Sequence, residues 1–541
     1  MAMILAAGGR ARADIVIAPQ ADRVVRFAAC ELRDTLKKIS GAPFRILRRD
    51  PASFPGPAIT IQADPGPAPL NAPDAYSLET RAGQVRIRGN RGRSALYGVY
   101  ELLEALGCRF VEPGLDVVPH ARALTLPALS RRRESAFSLR NVFRIQILKS
   151  KTYHYRGLEP NHHLPQVDWM AKRRLNHYIF YIDYYRYDLW EKYKHEILDA
   201  LLDRGFDLEV THHSLHYFCP PDENHDYGGY GPSTYRSTHP DWYVGTQIRI
   251  EKPAVQAVVL ERYLDYIKRN PELSRVGLWP ADDTMNASTD AFLKFWNTMG
   301  TALASRYPEK QLSILAYLEI LKPPRHIKPA PNLHCWFCPI RSNYMYPLGD
   351  RRNRENLVFM RDWVRRMAPR HVACFEYYGW QSVLTPFAGK MKADLTAYRN
   401  LGLGGVYGWA GFTFNLMGTD YRWARDLYVL SHLLWNPDQP TAPLEAEWAH
   451  AVFGRAAGGI LAFYGALRRA HDKERARGLL SSKPWISLEL LHALQKILAG
   501  ARRKAESPAA RRRVGLLEKL ACQGSTDAVL RKPPSSIESA F

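Results

Sequence analysis

The chain holds two adjacent carboxylates, Asp282 and Asp283, directly after the short apolar run of "GLWPADDTMN", Gly277 to Asn286. Neighbouring carboxylates in a dry site cannot both ionise without penalty, so one is driven toward its protonated form. A neutral acid beside a charged partner is the arrangement that protonates a leaving oxygen in sugar chemistry. The alternative is a turn in which Asp282 caps the following segment and Asp283 is solvated. A third carboxylate, Glu376 in "CFEYYGW", also ends a strand-like run. Facing the pair across a common cleft, it would be placed to activate water. Trp380 and Trp409, each followed by loop, offer flat faces for sugar stacking. In "THHS", His212 and His213 would point to opposite faces of a strand, one into a core and one toward substrate, which disfavours metal.

These residues need elements to position them. "SLRNVFRIQ", "HYIFYID", "DLEVTHHS", "RVGLWP", "LSILAYLE", "LHCWFCP", "VACFEYYGW" and "GGVYGWAG" are short strand-like runs, mostly separated by helical stretches such as "LWEKYKHEILDALLDRG" and "AFLKFWNTMGTALASRY". The alternation predicts an α/β chain with a (β/α)8 barrel over 137–419. A doubly wound sheet would open on a Gly-rich phosphate loop, and neither G-x-G-x-x-G nor G-x-x-x-x-G-K-[ST] occurs. Residues just past the strand ends then share one mouth: Arg140, Asp183, His212, His213, Asp282, Asp283, Glu319, Glu376, Trp380, Tyr407 and Trp409. Tyr317 and Trp336, on the fifth and sixth runs, join the candidate sugar-binding set.

Ahead of the barrel, 14–130 reads as a small α+β domain. "DIVIA" is a strand, and Val25, Ala28, Leu32, Leu36 and Ile39 recur at helical spacing up to Gly41. "YSLET" and "QVRIRG" form a hairpin, and "PALSRRRES" is a linker. Residues 420–541 read as a helical region with an apolar stripe at Leu488, Leu491, Leu494 and Leu498. Residues 1–13 read as a disordered tail or signal remnant, which would place the protein in the periplasm or outside the cell; otherwise it is cytoplasmic.

Lys and Arg exceed Asp and Glu by 75 − 53 = 22. The clusters "RRRES", "RRMAPR" and "ARRRVG" read as a dispersed basic surface, with no nucleic-acid signature beside them. An acidic glycan suits this surplus better than nucleic acid does. The seven cysteines make no disulfide framework, and Cys335-x-x-Cys338 lies in a strand pattern instead of a redox turn. No run is long enough to span a membrane.

A resemblance adds to this reading. "GRSALYGVYELLEALGCRFVEPG", Gly92 to Gly114, resembles the small domain preceding the barrel in family 20 hexosaminidases and family 67 α-glucuronidases. "WMAKRRLNHYIF" resembles the helix and second strand of such enzymes, and "THHS", "HPDWYV" and "LLWNPDQ" resemble bacterial proteins carrying domain of unknown function 4838. The resemblance spans about residues 14 to 440. It implies a glycoside hydrolase, exo-acting on an N-acetylhexosamine or uronic acid linkage and needing no cofactor. Asp282 would orient the substrate's acetamido group and Asp283 would be the general acid. Arg140 would grip sugar hydroxyls, and Tyr317 or Tyr407 would hold the acetamido oxygen. Where family 20 has Gly-Gly before the pair, this chain has "PA", so an inverting reaction on a uronic acid using Glu376 also stays open. The other class of function is a glycan-binding barrel without catalysis.

Overall fold

The computed structural model describes residues 2–66, 68–81, 83–142, 144–145, 160–181, 187–220, 235–245, 247–378, 385–408, 423–478 and 486–530. Eight parallel strands form the central barrel. They are β1 (Leu139–Asn141, continued by Arg144–Ile145), β2 (His177–Tyr181), β3 (Asp207–Thr211), β4 (Arg275–Gly277), β5 (Gln311–Ala316), β6 (Leu333–Phe337), β7 (Val372–Glu376) and β8 (Gly405–Gly408). Each falls on one of the eight runs read from the sequence. The first half of β1 pairs with β8, Leu139 opposite Gly405, and its second half pairs with β2, Arg144 opposite Ile179. The break in β1 therefore joins the two edges of the sheet. Gly405 is required there, since a Cβ would lie 2.6 Å from that of Leu139.

Strand alternation decides which side chains enter the barrel. His177, Glu209, Ser313 and Trp336 meet inside it: the Glu209 carboxylate accepts from Ser313 Oγ (2.6 Å) and Trp336 Nε1 (2.9 Å), and lies 3.1 Å from His177 Nε2. Burial alone would raise the Glu209 pKa, but the His177 contact, Arg275 and Ser313 hold it below the ordinary value. Phe375 and Tyr407, opposite each other on β7 and β8, continue the same interior, their rings 4.7 Å apart.

The N-terminal region is a six-stranded mixed sheet in the spatial order 130–134, 75–81, 84–89, 58–63, 14–17, 46–48. Two helices, Arg23–Ser40 and Gly92–Ala105, pack on it through their apolar stripes. The first ends where the sequence indicated: Gly41 takes φ 72° and its N–H bonds the Lys37 carbonyl. One expectation fails at the start of the chain. Met3–Ala7 is a strand antiparallel to Leu124–Leu126, and Leu5 and Ala6 are buried, so these residues are ordered by pairing and not a disordered tail.

Beyond the barrel, helices Ala424–Trp435, Thr441–Phe453, Ala457–Ala476, Leu488–Lys504 and Pro508–Leu530 follow in sequence. Leu491, Leu494 and Leu498 are buried as the stripe predicts, whereas Leu488 is 60% exposed. Leu488 follows the capping Ser487 at the helix start, outside the packed turn. Among the described residues no helix is long and apolar enough to cross a membrane.

Candidate active site

The chain leaves β4 at Gly277 and runs without regular structure to the helix Thr289–Arg306. This places Asp282 and Asp283 past the C-terminal end of a barrel strand, the end at which sites are built in this architecture. The loop is held from two neighbours. Gln247, in the small hairpin Tyr243–Val244 and Gln247–Ile248, donates from Nε2 to the Ala281 (3.0 Å) and Asp283 (3.2 Å) carbonyls. Glu319, beyond β5, accepts from the Met285 N–H at 3.1 Å.

The two aspartates separate. The Asp283 side chain is exposed, and its Oδ1 accepts from the Thr284 N–H at 2.7 Å, as in the turn reading. Asp282 keeps only 10% of its side chain exposed, and its Oδ2 lies 3.8 Å from His213 Nε2. His213 is buried, and its Nδ1 is 2.5 Å from the Pro280 carbonyl. A carbonyl only accepts, so Nδ1 carries a proton and Nε2 is the atom that exchanges one toward Asp282. Burial lowers the His213 pKa, and the Asp282 charge and the Pro280 contact act against that lowering.

His212 and His213 do not point to opposite faces. Thr211 ends β3, the chain bends, and the two rings meet edge to face at 4.4 Å. Tyr317 contributes the next ring, 6.4 Å from His213, at the exit of β5. Leu318 beside it takes φ 47°, a left-handed conformation that costs a branched residue about 1 kcal/mol or more. Cys338, past β6, is near enough for the Asp282 charge to raise its thiol pKa, after burial as the larger cause. Cys335 and Cys338 are both buried free thiols, and no group of three potential metal ligands occurs among the described residues.

Four expected site residues lie elsewhere. Arg140 is 0% exposed and points out of the barrel, while its neighbour Asn141 points in toward His177. Its guanidinium donates to Asp74 (2.6 Å) and to the Arg174 carbonyl (2.8 Å), and it stacks on Trp435. Arg140 is thus a bolt to the N-terminal sheet and not a sugar clamp. Trp336 and Tyr407 are wholly buried inside the barrel and cannot be sugar platforms. Glu376 does not face the pair: it is buried and accepts from Tyr398 on the outer helix Ala388–Leu401. Asp183, Trp380 and Trp409 lie outside the described residues.

Sequence reasoning missed Gln247 and Cys338 as neighbours of Asp282. Gln247 belongs to an insertion between β3 and β4, and only the adjacent "HPDWYV", which resembled a known pattern, marked that stretch. The loop of Asp282 opens a recognisable segment. Residues 279–465 match the family model described as Domain of unknown function (DUF4838). No curated protein matches. Among solved structures, one described as a family GH115 4-O-methyl-alpha-glucuronidase with specificity for decorated arabinogalactans superposes with a TM-score of 0.63 at 13% identity. That match covers 97% of this chain and 72% of that one. A second, described as a GH138 enzyme targeting pectin rhamnogalacturonan II, gives a TM-score of 0.65 at 9% identity, covering 95% and 69%. These likenesses establish the fold: a parallel eight-stranded barrel with a small domain before it and helices after it.

Proposed function

We propose that the protein is a glycoside hydrolase whose reaction takes place at the barrel mouth, on an N-acetylhexosamine or uronic acid linkage. The observation that carries the reading is the Asp282–His213 pair: a sheltered carboxylate facing the exchangeable nitrogen of a buried imidazole. At 3.8 Å the two atoms are within ion-pair range but beyond hydrogen-bond length, so a small side-chain movement would bring them close enough to pass a proton. In the proposed reaction Asp282 protonates the glycosidic oxygen as its bond to the anomeric carbon breaks, and the electron pair leaves with that oxygen. Water then supplies the new bond to the anomeric carbon, and its proton returns to the pair.

Asp283, on the rim, is the second carboxylate within reach of a bound sugar. Tyr317 is the remaining candidate for the hydroxyl that orients the substrate, because Tyr407 is enclosed in the barrel. The two solved structures of similar fold carry descriptions of glycan-active enzymes, which favours this reaction class over others that barrels support.

A screen against aryl glycosides of N-acetylhexosamines and uronic acids tests the proposal. Release of the aglycone from one class is expected. Silence across the panel, with glycans still bound, would instead identify a barrel that binds sugar without cleaving it.

A further inference from the structure

Three arginine-bearing segments far apart in the sequence converge at the opposite end of the barrel. "RRRES" forms the edge strand Ser130–Glu134, "KRR" ends in Arg173 and Arg174 just before β2, and "RRMAPR" ends in Arg370 just before β7. They meet in a cleft of about 760 Å3, closed on one side by the helix Ala424–Trp435 and the turn after it. A second cavity of about 610 Å3 shares Arg132, Arg133, Glu134 and Tyr76 with the first, so the two make a groove flanking the edge strand.

The cleft has more guanidinium than it can neutralise. Arg132, Arg133, Arg173, Arg174, Arg370 and Arg399 line it, six cations against the four carboxylates Glu101, Glu104, Glu134 and Asp438; the second cavity adds Arg88, paired with Asp64 at 2.7 Å, and Glu79, so the excess lies in the first cleft. The two inner acids are already committed. Glu104 takes Arg173 (2.9 Å) and Arg174 (2.6 Å), and Glu101 takes Arg131 (2.9 Å) and Arg133 (3.2 Å) as well as the Tyr76 hydroxyl. Arg132 is exposed and has no ion pair among the described residues. Arg370 bonds the Ala136 carbonyl at 3.3 Å, and Arg399 pairs with Asp438, itself 65% exposed.

The backbone fixes part of this lining. Arg370 holds φ 62°, and Gly404 packs so closely on it that a Cβ would stand 1.8 Å from the Arg370 carbonyl oxygen. The rings of Tyr76 and Trp435, both buried, tilted by 41° and 5.7 Å apart between centroids, back the cleft.

We infer that this groove is a second, non-catalytic binding site for an acidic oligosaccharide, holding sugar carboxylates on Arg132, Arg133, Arg370 and Arg399. Guanidinium forks match carboxylates two bonds at a time, and their placement on separate elements along a groove suits a chain of charged sugars better than one compact anion. That the ligand is a sugar rests on the carbohydrate reading of the mouth; that it is an anion rests on the groove alone. The site would anchor a polymer to the back of the enzyme while its end reaches the mouth.

Calorimetric titration with a galacturonate trisaccharide, a galactose trisaccharide, inorganic phosphate and oligothymidylate tests this. The proteins compared are wild type, Asp282→Asn, and Arg132→Ala combined with Arg370→Asn, since asparagine tolerates the left-handed backbone. Arg399→Gln, on an exposed pair, is the variant to use if the double change disturbs folding. The galacturonate is expected to bind wild type and Asp282→Asn equally, and the arginine variants at least tenfold more weakly, with aryl glycoside turnover at the mouth unaltered. Equal binding by the arginine variants, or no binding by wild type, overturns the inference. So does full displacement by an equal concentration of phosphate, which marks a small-anion site. Tighter binding of oligothymidylate with the same loss in the variants would mark a nucleic-acid site instead.

Discussion

At the scale of single residues, the two aspartates that look equivalent in the sequence have different surroundings. Asp282 faces His213, and Asp283 turns to solvent and its own loop. Burial lowers the His213 pKa while the Asp282 charge raises it, so removing that charge has a definite sign. In Asp282→Asn the His213 imidazole should titrate at lower pH than in wild type, by about one unit for each 1.4 kcal/mol of lost attraction. Histidine-labelled NMR across pH 4 to 8 measures this, and an unchanged or raised value would separate the two residues electrostatically. That a carboxylate pair ended a strand was legible from "GLWPADD". Which member is sheltered was not, because Gln247 and Glu319, distant in sequence, set the path of the loop.

Among the elements, the eight strands were legible because each combines β-branched and aromatic residues in a short run between helical periods. Their facing was not. A shift of one residue reverses the side of a strand, and the Arg140 assignment fell on the wrong side of that alternation while Asn141 points inward. Arg140 and Asp74 are both 0% exposed, and although burial opposes ionisation of Asp74, Arg93, Arg140 and Arg91 hold its pKa far below the usual range. Arg140→Ala leaves that charge short of a partner and should destabilise the fold by about 3 to 5 kcal/mol. Chemical denaturation reads the loss, and turnover per folded molecule should stay within about twofold of wild type. Glu376→Gln tests the corresponding reassignment on β7. Its carboxylate accepts from Tyr398 on the outer helix, so kcat should fall less than tenfold, against the hundredfold or more expected of a base acting on water.

For the whole molecule, pH stability follows from histidines enclosed without charge. His177 and His334 are buried and His432 is half-buried, and desolvation is the largest cause of the lowered pKa of each. The unfolded chain therefore binds more protons than the folded one below about pH 6.5, and stability due to these groups is lost as pH falls from 7 toward 5. Asp394 and Asp426 act in the opposite sense: burial raises each to about 6, so protonation there favours the fold. His432→Gln, which retains an acceptor for Arg173, should flatten the fall of melting temperature between pH 7 and 5 relative to wild type. A slope as steep as wild type would assign the acid sensitivity to other groups. The convergence of three arginine clusters behind the barrel is also a property of the whole chain. Read in order, "RRRES" and "RRMAPR" looked dispersed and "KRR" stood only as part of a helix, since only barrel closure brings the segments before β1, β2 and β7 together. The central claim, that Asp282 carries the proton in cleavage of a glycosidic bond, is tested most directly by kcat for Asp282→Asn beside Asp283→Asn on the hydrolysed aryl glycoside. A loss of about 10²- to 10⁴-fold is expected for Asp282→Asn and of less than about tenfold for Asp283→Asn, with both proteins folded. The reverse order would make Asp283 the acid, and full activity in both would remove the pair from the reaction.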